Sequence, residues 1–260
     1  MRKTKPLTKV ILLGRKDGAT KALLWLLRQG IEVPFAVTPK GQPLEAAARG
    51  ARIPVFNDSK ELYRRIAAGH ASVRGVDLVI SYLFNERMLE PLITLGGLGC
   101  INFHPAPLPE YKSRAGYNTA ILDKKKRFGV SAHFVDSEKF DAGPIIKVNR
   151  FAMDPKRETA WSLEKKTQPE LFSLFTEVMN LFLNGKPIRT KPNKGGLYLT
   201  GKQLDVLREV LPSDSPAAVE RKVRAFFFPP YGGAYIMVGG KKFELTSTET
   251  LKLLSEMLKK

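Results

Sequence analysis

Thr8-Lys9-Val10-Ile11-Leu12-Leu13-Gly14, followed by residues 19–29 and then 31–37, decides the fold class. The first segment is an unbroken apolar run of strand length ending in glycine, which predicts a strand covered on both faces. Residues 19–29 are rich in Ala and Leu and close at Gly30, so they predict a helix with a glycine stop. Residues 31–37 predict a second strand. A strand–helix–strand opening implies a parallel pair and a right-handed crossover. Working outward, strands are predicted at 53–55, 76–83, 99–103, 130–135 and 144–151, and helices near 59–69, 87–94 and 117–122. The fold class is α/β: a doubly wound, mostly parallel sheet with a small α+β element at the C-terminal end.

Beyond residue 151 the pattern turns helical, over 158–165 and again over 169–184, with Pro169 placed at a helix start and Gly185 just past a helix end. Phe172, Phe175, Val178, Met179 and Phe182 fall at helical spacing and predict a core stripe. Residues 186–196 carry two prolines and little apolar content and read as a linker, which divides the chain into a catalytic domain, 1–190, and a small domain, 191–260. The latter predicts an amphipathic helix over 216–227 and a hairpin, 234–238 with 242–245, turned at Gly239-Gly240. The aromatic run 226–231 predicts a small satellite core. A homodimer sharing this tail is compatible with its strands.

The composition narrows the partners. A net charge of +18 over 260 residues favours polyanions or small phosphorylated molecules, but basic residues are spread along the whole chain. Lys124-Lys125-Lys126-Arg127 reads as a solvated turn, and nucleic acid is not the favoured partner. The single cysteine, Cys100, excludes an internal disulfide and a multi-cysteine metal site. No apolar run reaches the roughly 20 residues that cross a bilayer, and Met1 to Pro6 lead into a strand without a signal-like segment. A cytoplasmic protein with no membrane partner and no metal is expected.

Asn102-Phe103-His104-Pro105, with Asp141 further on, supplies an amide, an imidazole and a carboxylate. Asn102 and His104 are two residues apart at the end of a predicted strand, so both point to one face, at the end where ligand crevices open in parallel sheets. Prolines at 105, 107 and 109 take the chain out of the sheet as a stiff loop. This set suits acyl transfer to an amine. Asn102 can donate to the oxyanion, His104 can move a proton, and Asp141 can orient His104 or hold a relaying water. Gly14-Arg15-Lys16-Asp17-Gly18 lies between a strand and a helix, where phosphates meet backbone N–H groups, or where a tight turn simply needs two glycines.

The run Ile101-Asn102-Phe103-His104-Pro105-Ala106-Pro107-Leu108-Pro109-Glu110-Tyr111-Lys112, Gly116-Tyr117-Asn118 after it, and Asp141-Ala142-Gly143-Pro144-Ile145-Ile146 resemble the catalytic region of the 10-formyltetrahydrofolate-dependent formyltransferases. The resemblance implies their variant of the Rossmann fold and N10-formyltetrahydrofolate as co-substrate, with Asn102, His104 and Asp141 as catalytic residues. It places the pterin between Ser81-Tyr82-Leu83-Phe84-Asn85 and the loop that carries Val135, Asp136 and Phe140. Gly14, Arg15, Lys16, Lys112 and Arg114 are candidates for a pyrophosphate. Pro105, Tyr111, Tyr117 and Asn118 are candidates for the rest of the acceptor.

Within the family, the sugar N-formyltransferases match best, through the motif run and the tail. This implies a nucleotide-linked amino sugar as acceptor, GDP- or dTDP-linked 4-amino-4,6-dideoxyhexose, with GDP-perosamine foremost, in O-antigen or other cell-surface polysaccharide synthesis. The methionyl-tRNA formyltransferases share the core and have a use for the charge, but carry a larger C-terminal barrel. The glycinamide ribonucleotide enzymes share His133-Phe134-Val135. A basic RNA-binding protein on the same scaffold is the alternative that is not an enzyme.

Overall fold

β1 (Val10–Gly14) is buried at every residue, as an apolar run without polar alternation must be when helices cover both sides of the sheet. This computed structural model describes residues 7–114 and 116–259, so the expectation for Met1 to Pro6 lies outside the described residues. α1 (Lys16–Arg28) follows, burying Ala19, Ala22, Leu23 and Leu26 at helical spacing. The chain continues through β2 (Ala36–Val37), α2 (Pro43–Gly50), β3 (Val55–Phe56), α3 (Lys60–Ala67), β4 (Leu78–Tyr82), α4 (Leu92–Leu95) and β5 (Cys100–His104). Then come β6 (Tyr111–Ser113), α5 (Gly116–Leu122), β7 (Arg127–Phe134), β8 (Ile145–Ala152) and α6 (Ala160–Leu183).

Among the described residues the main sheet has seven strands in the order β3-β2-β1-β4-β5-β7-β8. β3 through β5 are parallel; β7 and β8 run antiparallel. The strand order reverses between β1 and β4, which opens a crevice at their carboxyl ends. The next parallel strand, β5, brings Asn102 and His104 to the same rim.

α6 lays Leu171, Leu174, Phe175, Val178, Met179 and Phe182 on one face of the sheet, where Phe175 meets Tyr82, Phe103 and Trp25 edge-on or tilted. Thr159 and Ser162 form a reciprocal cap at its start. The helix runs unbroken through Pro169, where two helices were expected. Proline removes one hydrogen bond in mid-helix, and burial of the stripe on both sides of it outweighs that loss.

Other differences are local. The expected strand 31–37 is interrupted at Pro34, which has no N–H to give: Glu32 bridges Lys9, and the strand proper is Ala36–Val37. The expected helix 87–94 shrinks to Leu92–Leu95 beyond Pro91, which leaves Arg87 and Met88 outside any helix or strand. Past the supposed linker lie β9 (Leu197–Leu199), α7 (Gly201–Leu207), α8 (Pro216–Phe226), the hairpin β10 (Tyr235–Val238) with β11 (Lys241–Glu244), and α9 (Thr248–Leu258). Ala225 and Phe226 pack with Tyr111, Ala120, Phe128 and Leu163, so the aromatic run joins a core shared with the main unit instead of closing a satellite of its own.

Candidate active site

At the carboxyl end of β5 the period-two geometry turns Asn102 and His104 to one face, and the loop after β7 brings Asp141 against both. Asn102 Nδ2 donates to Asp141 Oδ1 over 3.2 Å, and His104 Nδ1 lies 3.3 Å from the same oxygen. His133, opposite Asn102 in the antiparallel register, contributes Nε2 at 3.1 Å from Asn102 Nδ2 and 3.4 Å from Asp141 Oδ1. The Ser113 N–H donates to Asp141 Oδ2 at 2.8 Å, and Ser81 Oγ donates to Asn102 Oδ1 at 2.7 Å. The amide, the two rings and the carboxylate therefore form one closed network.

The electrostatics follow from burial. Burial alone would raise the Asp141 pKa, but the two imidazoles and the Ser113 N–H outweigh it and hold the carboxyl well below its ordinary range. Burial pushes the His104 pKa down, against the pull of Asp141 and of the Tyr111 carbonyl that Nε2 faces at 2.9 Å. Both ring nitrogens of His104 thus face acceptors. Asp141 remains an anion at neutral pH and is a weak base.

A cleft opens beside this network, lined by Asn102, His133 and Asp141 together with Ser81, Phe84, Met88, Val135 and Phe140. His104 does not line it; the ring sits behind Asp141. Arg87 lies 5.4 Å from the Phe140 ring, at the cleft's open side. Phe84, Met88, Val135 and Phe140 give flat apolar walls, and Asn102 and Asp141 give a polar floor, which fits a planar heterocycle with a polar edge.

Four residues expected on the cleft walls are elsewhere. Tyr82 alternates away from Ser81 and is buried against Phe103 and Phe175 on the other face of the sheet. Leu83 is buried in left-handed backbone (φ 56°), while Asn85 and Asp136 are exposed and outside the lining.

The acceptor candidates separate into two groups. Gly14 closes against Ala19 and Tyr82, and Arg15 Nε donates to the Leu83 carbonyl at 2.6 Å. Lys16 Nζ pairs with the buried Glu164 at 2.6 Å, so its charge is already matched within the chain. Tyr111 is buried and its carbonyl holds His104; Asn118 Nδ2 donates to the Ala225 carbonyl at 2.7 Å and ties α5 to α8. Tyr117 packs on Phe128, 5.6 Å between ring centres, and burial drives its hydroxyl pKa well up. Lys112 reaches the Asn193 carbonyl at 3.3 Å, Pro105 is half-buried at the start of the loop, and Arg114 is exposed.

Several contributors lay beyond the sequence reading. His133, on one face of a strand, could be read from sequence either as packed or as supporting the site; it is packed, and it also touches Asn102 and Asp141. Its register opposite Asn102 was the available signal. Ser113 acts through its backbone, and Asn193 lies in the supposed linker, so neither left a side-chain pattern to find. Among the described residues no group of three or more His, Cys, Asp or Glu side chains is placed to hold a metal, and no helix is long and apolar enough to cross a membrane.

A family profile described as formyl transferase matches residues 20–179, more than half of the chain. The chain belongs to this family. It is a formyltransferase, and β5, its loop and the Asp141 loop all lie inside the matched region. It is 26% identical to a methionyl-tRNA formyltransferase of Geobacter sulfurreducens over an alignment 261 positions long, covering 91% of this chain and 77% of that one. It is also 26% identical to a GDP-perosamine N-formyltransferase of Brucella melitensis over 178, covering 68% and 67%. The fold superposes on an N-formyltransferase of Helicobacter canadensis, solved with folinic acid and dTDP-3-aminofucose, with a TM-score of 0.71 at 17% identity, covering 91% and 86%.

Proposed function

We propose that this formyltransferase moves the formyl group of N10-formyltetrahydrofolate to the amine of a nucleotide-linked amino sugar, a GDP- or dTDP-linked 4-amino-4,6-dideoxyhexose such as GDP-perosamine, for cell-surface polysaccharide. The observation that carries the transfer chemistry is the buried Asn102–Asp141–His104 network at the floor of an apolar-walled cleft. The sugar acceptor is supported by the motif run of β5 and its loop, by the Brucella relative, and by the nucleotide-linked amino sugar held by the Helicobacter structure.

Bound in the cleft, the co-substrate supplies the formyl carbon. The amine forms the new bond to that carbon, the bond from the carbon to N10 breaks, and one proton passes from the amine to N10. Asn102 is the donor placed to meet the negative charge developing on the formyl oxygen, once it yields its bond to Asp141 or His133. Asp141 fixes the Asn102 amide and the His104 ring. Too weak a base to keep a proton, it steers one through a bound water.

A second reading, methionyl-tRNA as acceptor, is favoured by the Geobacter relative and by the charge of +18. Mass spectrometry of a panel of nucleotide-linked amino sugars after incubation with the protein and the formyl donor tests both, with Asn102→Ala as control. One formyl mass added to one panel member, absent in the control, supports the sugar reading. Formylation of methionyl-tRNA alone replaces it.

A further inference from the structure

We infer that residues 191–199 form a strap that positions Asp141, with Asn193 as its positioning residue. This rests on the role proposed for Asp141 above. The segment lies outside the region matched by the family profile, and its part up to Gly196 read as a linker. Its first residue, Lys191, exchanges both backbone hydrogen bonds with Ile145, at 2.9 and 2.8 Å, just after the Asp141 loop. Asn193 Nδ2 then donates to the carbonyls of Asp141 and Gly143, each at 2.9 Å. Its Oδ1 is buried without a partner among the described residues, so the side chain is there for its two donors.

Those two carbonyls flank a strained turn. Asp141 sits at φ 49°, a left-handed conformation that a side chain other than glycine's adopts at a cost, and that persists only where the surroundings impose it. Gly143 is pressed against the Phe134 carbonyl so closely that a Cβ would lie 1.9 Å from it. One amide, bonded on both sides of Ala142, fixes how far the Asp141 carboxylate reaches toward Asn102 and His104.

The same strap fixes the other oxygen of Asp141. Gly196 runs against the Pro109 carbonyl, the Leu197 N–H donates to the Glu110 carbonyl at 2.8 Å, and β9 pairs in parallel with β6, Leu199 opposite Ser113. Ser113, itself left-handed at φ 65°, gives its N–H to Asp141 Oδ2. The charged or titratable groups gathered on this arrangement are His104 from β5, His133 from β7 and Lys112 from β6, the last on the strap's own Asn193 carbonyl.

Because Asn193 is only half-buried, its removal leaves the core intact. Asn193→Ala and the isosteric Asn193→Asp, which has no donor to offer, would be compared with the wild-type chain by nitrogen NMR of the imidazole rings and by turnover. The chain has three histidines, which keeps the spectra assignable. The expected result is changed ring-nitrogen shifts of His104 and His133 with those of His70 unchanged, and a fall in kcat of about 10- to 100-fold with KM within about twofold, as displacement of an aligned group produces. Ring-nitrogen shifts of His104 and His133 that superpose on the wild type overturn the proposal, whatever happens to the melting temperature. If the wild-type chain formylates none of the acceptors, the functional reading has failed, and the ring-nitrogen shifts alone still decide the strap.

Discussion

Asp141→Asn is a near-isosteric change whose cost can be worked from the contacts of the two carboxylate oxygens. Oδ2 accepts the Ser113 N–H at 2.8 Å, so the new side chain must place its oxygen there. Its NH2 then occupies the Oδ1 position, 3.2 Å from Asn102 Nδ2, donor against donor. Asn102 cannot turn that hydrogen elsewhere, because its other one faces His133 and its Oδ1 accepts from Ser81. One buried N–H is left unpaired, at about 1 to 3 kcal/mol. For a chain of this size that lowers Tm by about 2 to 6 °C near neutral pH.

The pH dependence has a sign for each group. Asp141 has a depressed pKa in the folded state, so its carboxylate stabilises the fold above the ordinary value of about 4, and that stabilisation is lost as pH falls below it. His104 is also depressed, and without Asp141 to pull it up it is depressed further, so acid costs the variant more between about pH 6.5 and 4. The gap in Tm between wild type and variant should widen on going from pH 7 to 5 and close again below about pH 4. Turnover should fall by at least about 100-fold, since the amide that meets the formyl oxygen is displaced. Thermal scans across this pH range, with product mass at each pH, supply the test. A variant that melts within about 1 °C of the wild type at pH 7 and keeps about a third of its turnover would refute the assignment of Asp141 as the centre of the network.

Three further outcomes are expected. Gly143→Ala places a Cβ 1.9 Å from the Phe134 carbonyl, so the Asp141 loop must move; a loss of about 1 to 3 kcal/mol in denaturant unfolding should accompany a loss of turnover. Phe140→Ala removes a partly exposed ring from the cleft wall and its contact with Arg87; initial rates should show KM for the formyl donor raised about 10-fold with kcat retained. Pro169→Ala restores an N–H to the Lys165 carbonyl inside α6, and calorimetry should show a stabilised chain, by about 1 kcal/mol or more, with unchanged activity.

The sheet was legible because its first strand is an unbroken apolar run ending in glycine and the later ones are strand-length stretches rich in apolar residues, and the trio because period two puts Asn102 and His104 on one face. The same period, applied to Ser81 and Tyr82, separates them: Ser81 turns to the cleft and Tyr82 to Phe103 and Phe175, so an entire segment could not form the cleft wall. Pro169 misled because local rules stop a helix at proline, whereas Leu163, Leu171 and Leu174 on either side are all fully buried and carry the helix through. Residues 186–196 read as a linker because their bonds to the site are made by backbone groups and one short amide, and such bonds leave no periodicity.

The geometry of the network supports one division of work among the three groups of the motif in the proposed reaction. A histidine free to shuttle protons needs one nitrogen open to the reacting atoms, and His104 has neither: one faces Asp141, the other the Tyr111 carbonyl, and the ring is outside the cleft. Asp141 and Asn102 do line the cleft, yet Asp141 is held as a weak base. The group with hydrogen to offer a developing oxyanion is therefore the Asn102 amide, and the ring of His104 acts on it through the carboxylate it faces, whereas His133 lines the cleft and touches both that carboxylate and Asn102. On that reasoning the imidazoles set the charge and position of Asp141, and Asp141 sets the direction of the Asn102 donor, so a substitution at His104 should reach the formyl carbon through Asp141, while one at His133 also removes a direct partner of Asn102.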